Sequence, residues 1–313
     1  MRRSRLATLG GVAVILAACG KAAEVLEASN GAPEIYTVNY PLAFFAETLA
    51  GNRATIRFPA PAGVDPAHWQ PSVDTVLAYQ RADLILLNGA DYARWVRQTS
   101  LPLQSLVDTG AAYSNDLIHQ NVGPAHSHGQ DGAHSQGDLA FTTWLDLTLA
   151  QQQVAAIAAA MQSLMPAHRD TIAQRAALLH ADLVAIDHAL SRVTRQLHGV
   201  PILYSHPVYQ YLERRYGLTG RAMHWEPDVM PEPDQWQLLA DVVTDHPARL
   251  MLWEGEPLPE IRERLNGMGI KVVVYRAMGN RPAQGDFSSS MRANVDALAQ
   301  ALLPNASMRV AQP

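Results

Sequence analysis

The sequence predicts an α/β protein of two α/β lobes with parallel sheets joined by one long linking helix. Three observations carry that prediction. Short apolar or β-branched runs alternate with helical patterns from Glu34 to Asn88, a largely helical stretch runs from Leu147 to Gln196, and the alternation resumes at Pro201.

Ahead of the first lobe, Arg2, Arg3 and Arg5 precede an apolar run from Leu6 to Ala18 that is too short to span a bilayer as a mature helix. It reads as a secretory signal over residues 1–19. The run ends in Leu16-Ala17-Ala18-Cys19, which resembles a bacterial lipobox, so lipidation at Cys19 is expected. Cys19 is the single cysteine, and the fold must rest on core packing rather than on an internal disulfide. Residues 20–33, small and polar without apolar periodicity, suit a flexible tether.

The N-terminal lobe is expected over 34–165. Its strands are Ile35 to Asn39, Ala54 to Pro59 and Asp83 to Asn88, and its helices are Leu42 to Ala50 and one near Val73 to Arg81. Residues 119–138 are rich in glycine and histidine with no apolar period, which predicts a mobile surface loop. The linking helix is expected over 166–197, after the interruption at Pro166, with a reach of roughly 45 Å at 1.5 Å per residue. The C-terminal lobe, 198–313, should contain strands Pro201 to Tyr204, Arg221 to Trp225, Arg249 to Trp253 and Ile270 to Tyr275. Helices Val208 to Tyr216, Asp234 to Thr244, Glu260 to Asn266 and Ser288 to Leu303 alternate with them.

Composition narrows the function classes. A net charge of −5 gives no electrostatic footprint for nucleic acid, and no later apolar segment is long enough for a membrane helix, which leaves the lipid as the membrane contact. Ligands of open α/β sheets sit at the carboxyl ends of strands, so chemistry is sought there. His68 lies in the proline-punctuated loop Asp65-Pro66-Ala67-His68-Trp69-Gln70-Pro71, His206 directly follows the strand ending at Tyr204, and Glu254 stands at the tip of the strand ending at Trp253. Imidazoles with a carboxylate suit zinc or manganese. His224 and Glu226 follow another expected strand, where Glu226 is a candidate to accept the second N–H of a ligand imidazole. His119, His126, His128 and His134 form an auxiliary metal-gathering candidate.

These pieces resemble the zinc- and manganese-specific substrate-binding lipoproteins of ABC importers. The marks are Tyr40-Pro41-Leu42, Asp65-Pro66-Ala67-His68 with Pro71-Ser72, Ala82-Asp83 leading to Asn88-Gly89, and the histidine-rich loop before Trp144-Leu145-Asp146. Ser205-His206, Tyr216-Gly217-Leu218 and Asn294-Val295-Asp296-Ala297-Leu298 complete the set. The resemblance implies a metal held between the lobes by three histidines and a carboxylate, with His68 and His206 at the first and third ligand positions. It further implies a monomer, anchored through Cys19 in the periplasm or at the cell surface, that carries Zn2+ or Mn2+ as cargo to an ABC permease. Two positions depart from the pattern. Thr142 stands where the resemblance expects a histidine, and Tyr275 to Asn280 runs on to Asp286 without the expected carboxylate. Glu254 is the replacement by position; His224, Glu226, Asp286, a loop histidine or a water remain open for the last place.

Two other classes stay in view. A zinc hydrolase is suggested by His126-Ser127-His128, but the acid falls out of step, and neither a His-Glu-x-x-His nor a Gly-x-Ser-x-Gly motif is present. No enzyme activity is therefore expected. A same-fold module for another ligand, such as a metal complex, or a metal chaperone or adhesin-like lipoprotein, is the alternative.

Overall fold

The computed structural model describes residues 31–120, 126–127, 133–134, 139–226 and 228–303. The expected signal, Cys19 and most of the tether lie outside them.

In the first lobe, β1 (Glu34–Thr37), β2 (Thr55–Arg57), β3 (Leu84–Leu87) and β4 (Leu106–Asp108) form a wholly parallel sheet in the order β2-β1-β3-β4. Parallel central strands are covered on both faces, which is why β3 reads as the unbroken apolar run Leu84-Ile85-Leu86-Leu87. Helix α1 (Tyr40–Ala50) starts where the Asn39 side chain accepts the Leu42 N–H at 3.1 Å, and it stops at Gly51, whose φ of +59° favours a residue without Cβ. Helix α2 (Val73–Gln80) is capped in the same way by Ser72.

The histidine-rich stretch is expected as a mobile surface loop. In part it pairs: β5 (His126–Ser127) and β6 (Ala133–His134) form an antiparallel pair with His126 opposite His134, and His119 bridges Leu139. His128 and the rest of that stretch lie outside the described residues. Helix α3 (Leu147–Leu164) follows, capped by Asp146. A 3-10 turn at Pro166–His168, where proline removes an N–H, separates it from α4 (Arg169–Thr194). At 26 residues α4 is about 39 Å long. With its flanking 3-10 turns it fills the expected span of 166–197. It packs on α3 and α1 and, through the other lobe, on helices described next.

The second lobe repeats the plan. Strands β7 (Pro201–Tyr204), β8 (Thr219–Ala222), β9 (Leu250–Trp253) and β10 (Lys271–Val274) form a parallel sheet in the order β10-β9-β7-β8. Helices α5 (Gln210–Tyr216), α6 (Pro233–Asp245), α7 (Pro259–Gly267) and α8 (Phe287–Leu302) connect or cover them, and α4 touches α5 and α8. One strand was misplaced from sequence. The expected strand Arg221 to Trp225 is instead β8, two to three residues earlier, because its partner β7 has only Pro201 to Tyr204 to pair with before the chain turns at Ser205-His206. Beyond Ala222 the chain leaves the ladder, and His224 takes a left-handed φ of +55°.

The strands of this sheet alternate faces. Ile202, Tyr204, Leu250, Leu252 and Val273 join a core continuous with α1, α3, α4 and the first sheet, whereas Leu203, Met251 and Val272 pack under α6 and α7 with Trp225, Trp236 and Trp253. The lobes therefore share one apolar core.

Candidate functional site

A cleft of about 720 Å3 opens where residues following the strands of the two sheets face each other. From the first lobe come Asp65 and His68 after β2, Tyr92 after β3, and Thr142 and Trp144. From the second come His206 after β7, Glu226 after β8, Glu254 after β9, and Ala277, Gly279 and Asn280 after β10. This is the strand-end location that α/β sheets reserve for ligands.

His68 is set by a local turn. The Asp65 Oδ1 accepts the Ala67 N–H at 2.9 Å, and the Asp65 Oδ2 lies 2.9 Å from the His68 Nδ1. A carboxylate at Nδ1 favours the proton there and leaves Nε2 as a lone-pair donor, the arrangement common to metal-ligating histidines. The edge of Phe141 limits the ring's other side, with centroids 6.2 Å apart.

His206 is 5% exposed, and its Nδ1 stands 3.8 Å from a Glu226 oxygen. Three strand ends are tied together here by Ser205, which is fully buried. Its N–H donates to Leu252 O at 2.9 Å, its carbonyl accepts the Trp225 N–H at 2.6 Å, and its Oγ accepts the Glu254 N–H at 3.2 Å. One serine thus fixes the mutual placement of the segments carrying His206, Glu226 and Glu254.

Several candidates fall elsewhere. His224 is exposed and does not line the cleft; its ring centroid is 6.2 Å from that of His206. Asp286 caps α8, its carboxylate accepting the Ser289 N–H at 2.7 Å. Thr142 does line the cleft, but its hydroxyl donates to Val208 O at 2.5 Å across the lobes. Among the described residues, no three His, Cys, Asp or Glu side chains are drawn into a preformed metal cage.

Sequence reasoning missed Asp65, Ser205 and Tyr92. Asp65 carried a signal, because Asp before Pro favours a turn in which its side chain bonds the backbone two residues on. Ser205 stood out only as part of the Ser205-His206 mark, and Tyr92 not at all, since their contacts join segments distant in sequence.

The lobes are clasped around the cleft. The Trp144 Nε1 donates to Ala277 O at 2.6 Å, the Tyr40 N–H to Gly279 O at 3.0 Å, and the Asn280 side-chain amide to both Pro61 O and Val64 O at 2.7 Å.

Residues 35–301 match the family described as zinc-uptake complex component A periplasmic. The zinc-binding lipoprotein AdcA of Streptococcus pneumoniae is 24% identical over 299 residues, covering 92% of this chain and 58% of the relative, so the chain spans little more than half the length of that protein. The high-affinity zinc uptake system protein ZnuA of Bacillus subtilis is 22% identical over 301 residues, covering 93% of this chain and 94% of its own. The crystal structure of the Zn(II)-bound ZnuA-like domain of the pneumococcal AdcA superposes with a TM-score of 0.72 at 21% identity, covering 86% of this chain and 98% of that one, and shares its fold. By the extent of the family match, the chain belongs to the zinc-uptake complex component A periplasmic family.

Proposed function

We propose that this chain captures a divalent transition metal, zinc first and manganese next, in the cleft between its lobes and delivers it to the permease of an ABC importer. The observation that carries the proposal is the placement of His68 and His206. They come from different lobes, line one cleft, and each has a carboxylate beside Nδ1. Both imidazoles can then present Nε2 to an ion, and Glu254 in the same cleft supplies the charge that balances it. His68, His206 and Glu254 are the proposed ligands, with Asp65 and Glu226 orienting the rings.

The chain works by reversible binding rather than catalysis, as a monomer tethered through a lipid on Cys19 in the periplasm or at the cell surface. The names of the zinc-binding relatives support zinc as the leading cargo. A second reading has its own observation. A cleft of about 720 Å3 lined, among the described residues, by two imidazoles and no preformed cage also suits a metal complex that brings ligands of its own.

The test is titration of the purified chain with zinc and manganese before and after His206→Ala. Tight binding by the wild type and its loss in the variant are expected. Unchanged tight binding in the variant would remove the site assignment, and capture only of a chelated metal would favour the second reading.

A further inference from the structure

A second groove, of about 650 Å3, lies where the end of α4 meets the end of α5, and it shares no lining residue with the cleft. Its charge is the opposite of the cleft's. Among the described residues, the cleft is lined by Asp65, Glu226, Asp228, Glu254 and Glu256 with no arginine or lysine, whereas Arg192, Arg195, Arg214 and Arg215 line the groove with His188 and His198 and no carboxylate. In a chain whose net charge is −5, four guanidiniums in one concavity are a local reversal of sign. The groove has the size of a site for one small ligand.

The sequence writes one wall of it as a helical stripe. His188, Arg192 and Arg195 follow one another at spacings of four and three, so they share one face of α4 and of the 3-10 turn Arg195–Leu197 that closes it. The other wall is the last turn of α5, Arg214-Arg215-Tyr216, which ends at Gly217 with φ of +62°. The missing side chain there makes room for His198, since a Cβ on Gly217 would stand 3.2 Å from the His198 Nε2. That nitrogen lies 3.0 Å from Tyr216 O, and a carbonyl only accepts, so Nε2 carries a proton and the ring is held in place. Basic residues in last turns favour the helix dipole, which accounts for any one of these arginines. It does not account for how unevenly they are paired. Arg215 is clamped by Asp187 at 2.7 and 3.2 Å, and Arg214 donates to Asp116 O and lies 3.8 Å from Asp146. Arg192 and Arg195 are exposed, and among the described residues neither side chain has an ion pair or a hydrogen bond. Two anchored guanidiniums thus share a groove with two uncommitted ones, and an anion between them would relieve their repulsion.

We propose that this groove binds a phosphate-bearing anion, with Arg192 and Arg195 donating the direct charge-assisted hydrogen bonds and Arg214, Arg215 and His198 supplying the positive surroundings. A planar guanidinium matches two phosphate oxygens at once, and several of them in one concavity favour a multiply charged oxyanion over chloride or a single carboxylate. The site is independent of metal capture. The carboxylates of the cleft repel the same anion, so the two concavities take ligands of opposite charge.

The experiment is equilibrium dialysis of radiolabelled inorganic pyrophosphate against the full chain, freed of metal so that the probe has no ion to chelate. Wild type is compared with the double variant Arg192→Ala/Arg195→Ala and with Arg57→Ala, which removes an arginine of the first lobe paired with Glu34. Saturable binding at one site is expected, weakened about 10-fold or more in R192A/R195A and within about twofold of wild type in R57A. Both groove arginines are exposed, so thermal melts of the double variant and wild type should coincide, and lost binding is then not lost folding. Absence of saturable binding to wild type overturns the proposal, as does equal affinity in R192A/R195A or an equal loss in R57A, the mark of diffuse attraction. Displacement of the label separates the two sources of such a phosphate. Soluble dihexanoyl phosphatidylglycerol acting at lower concentration than unlabelled pyrophosphate assigns the groove to a lipid headgroup, and the reverse order assigns it to a soluble phosphate compound.

Discussion

Replacing Asp65 by alanine separates its service to the fold from its service to the metal. The carboxylate reaches both the Ala67 N–H and the His68 Nδ1, each at 2.9 Å. The Asp65 side chain is 53% exposed and that of His68 is 13% exposed, so as an ion pair the contact is screened and contributes at most about 1 kcal/mol. The thermal midpoint of the metal-free protein should therefore move little. Metal affinity should move far more, because an untethered His68 ring loses both its orientation and the tautomer that exposes Nε2. Orienting partners of this kind are worth about 10–100-fold in affinity, or roughly 1.4–2.8 kcal/mol. The assay pairs thermal melts of the metal-free chain with zinc competition titrations for wild type, Asp65→Ala and His68→Ala. The ordering expected is wild type tightest, D65A intermediate and H68A weakest, with D65A nearly as stable as wild type. Zinc affinity in D65A within about twofold of wild type would refute the reasoning, since orienting groups on ligand histidines do not come so cheaply.

The remaining predictions concern the scaffold. Asp187 on α4 is buried and accepts from the Arg215 Nε at 3.2 Å, an Arg215 terminal nitrogen at 2.7 Å and the Tyr216 hydroxyl at 2.8 Å. Asp187→Ala strands a buried hydroxyl and part of a charge, and should cost about 2–4 kcal/mol by denaturant titration; a loss under about 1 kcal/mol would contradict this account. Burial raises the Glu213 carboxyl above its ordinary 4.5, partly offset by the Gly220 N–H bonded to it. The folded chain then binds that proton more tightly than the unfolded one, so this group's contribution to stability declines as pH rises from 4.5 through the raised value. Glu213→Gln keeps an acceptor for Gly220 and should flatten that decline in a series of unfolding curves; identical slopes for the two proteins would count against the assignment.

The two-lobed plan was legible because its central strands are buried on both faces and read as apolar runs, as in Leu84 to Leu87 and Leu250 to Trp253. β4 escaped because Leu106-Val107-Asp108 is three residues long, too short for any period to declare itself. The error at β8 has the same root from the other side, since the length of β7 decides where pairing stops and the residues of β8 themselves do not. In the site, His68 and His206 stood out because each follows an expected strand. Their geometry did not, because it depends on contacts between distant segments: Ser205 bonds Trp225, Leu252 and Glu254, and Thr142 bonds Val208. Sequence proximity revealed the imidazoles, and only tertiary contacts reveal what aims them.

The two places where the family resemblance expects ligands, and this chain has none, share a feature. Thr142 bonds Val208 across the lobes, and the segment after β10 accepts the Trp144 indole and the Tyr40 N–H through Ala277 and Gly279 and reaches the first lobe through Asn280. Positions open to coordination are occupied instead by contacts that fasten one lobe to the other. Together with an apolar core that runs unbroken through α4 into both sheets, these bonds set the width of the cleft before any ion arrives. A cleft whose width is fixed during folding spares binding the cost of bringing the lobes together. The hydrogen bonds at Thr142, Trp144 and Asn280 are among the contacts that any widening of the cleft must break.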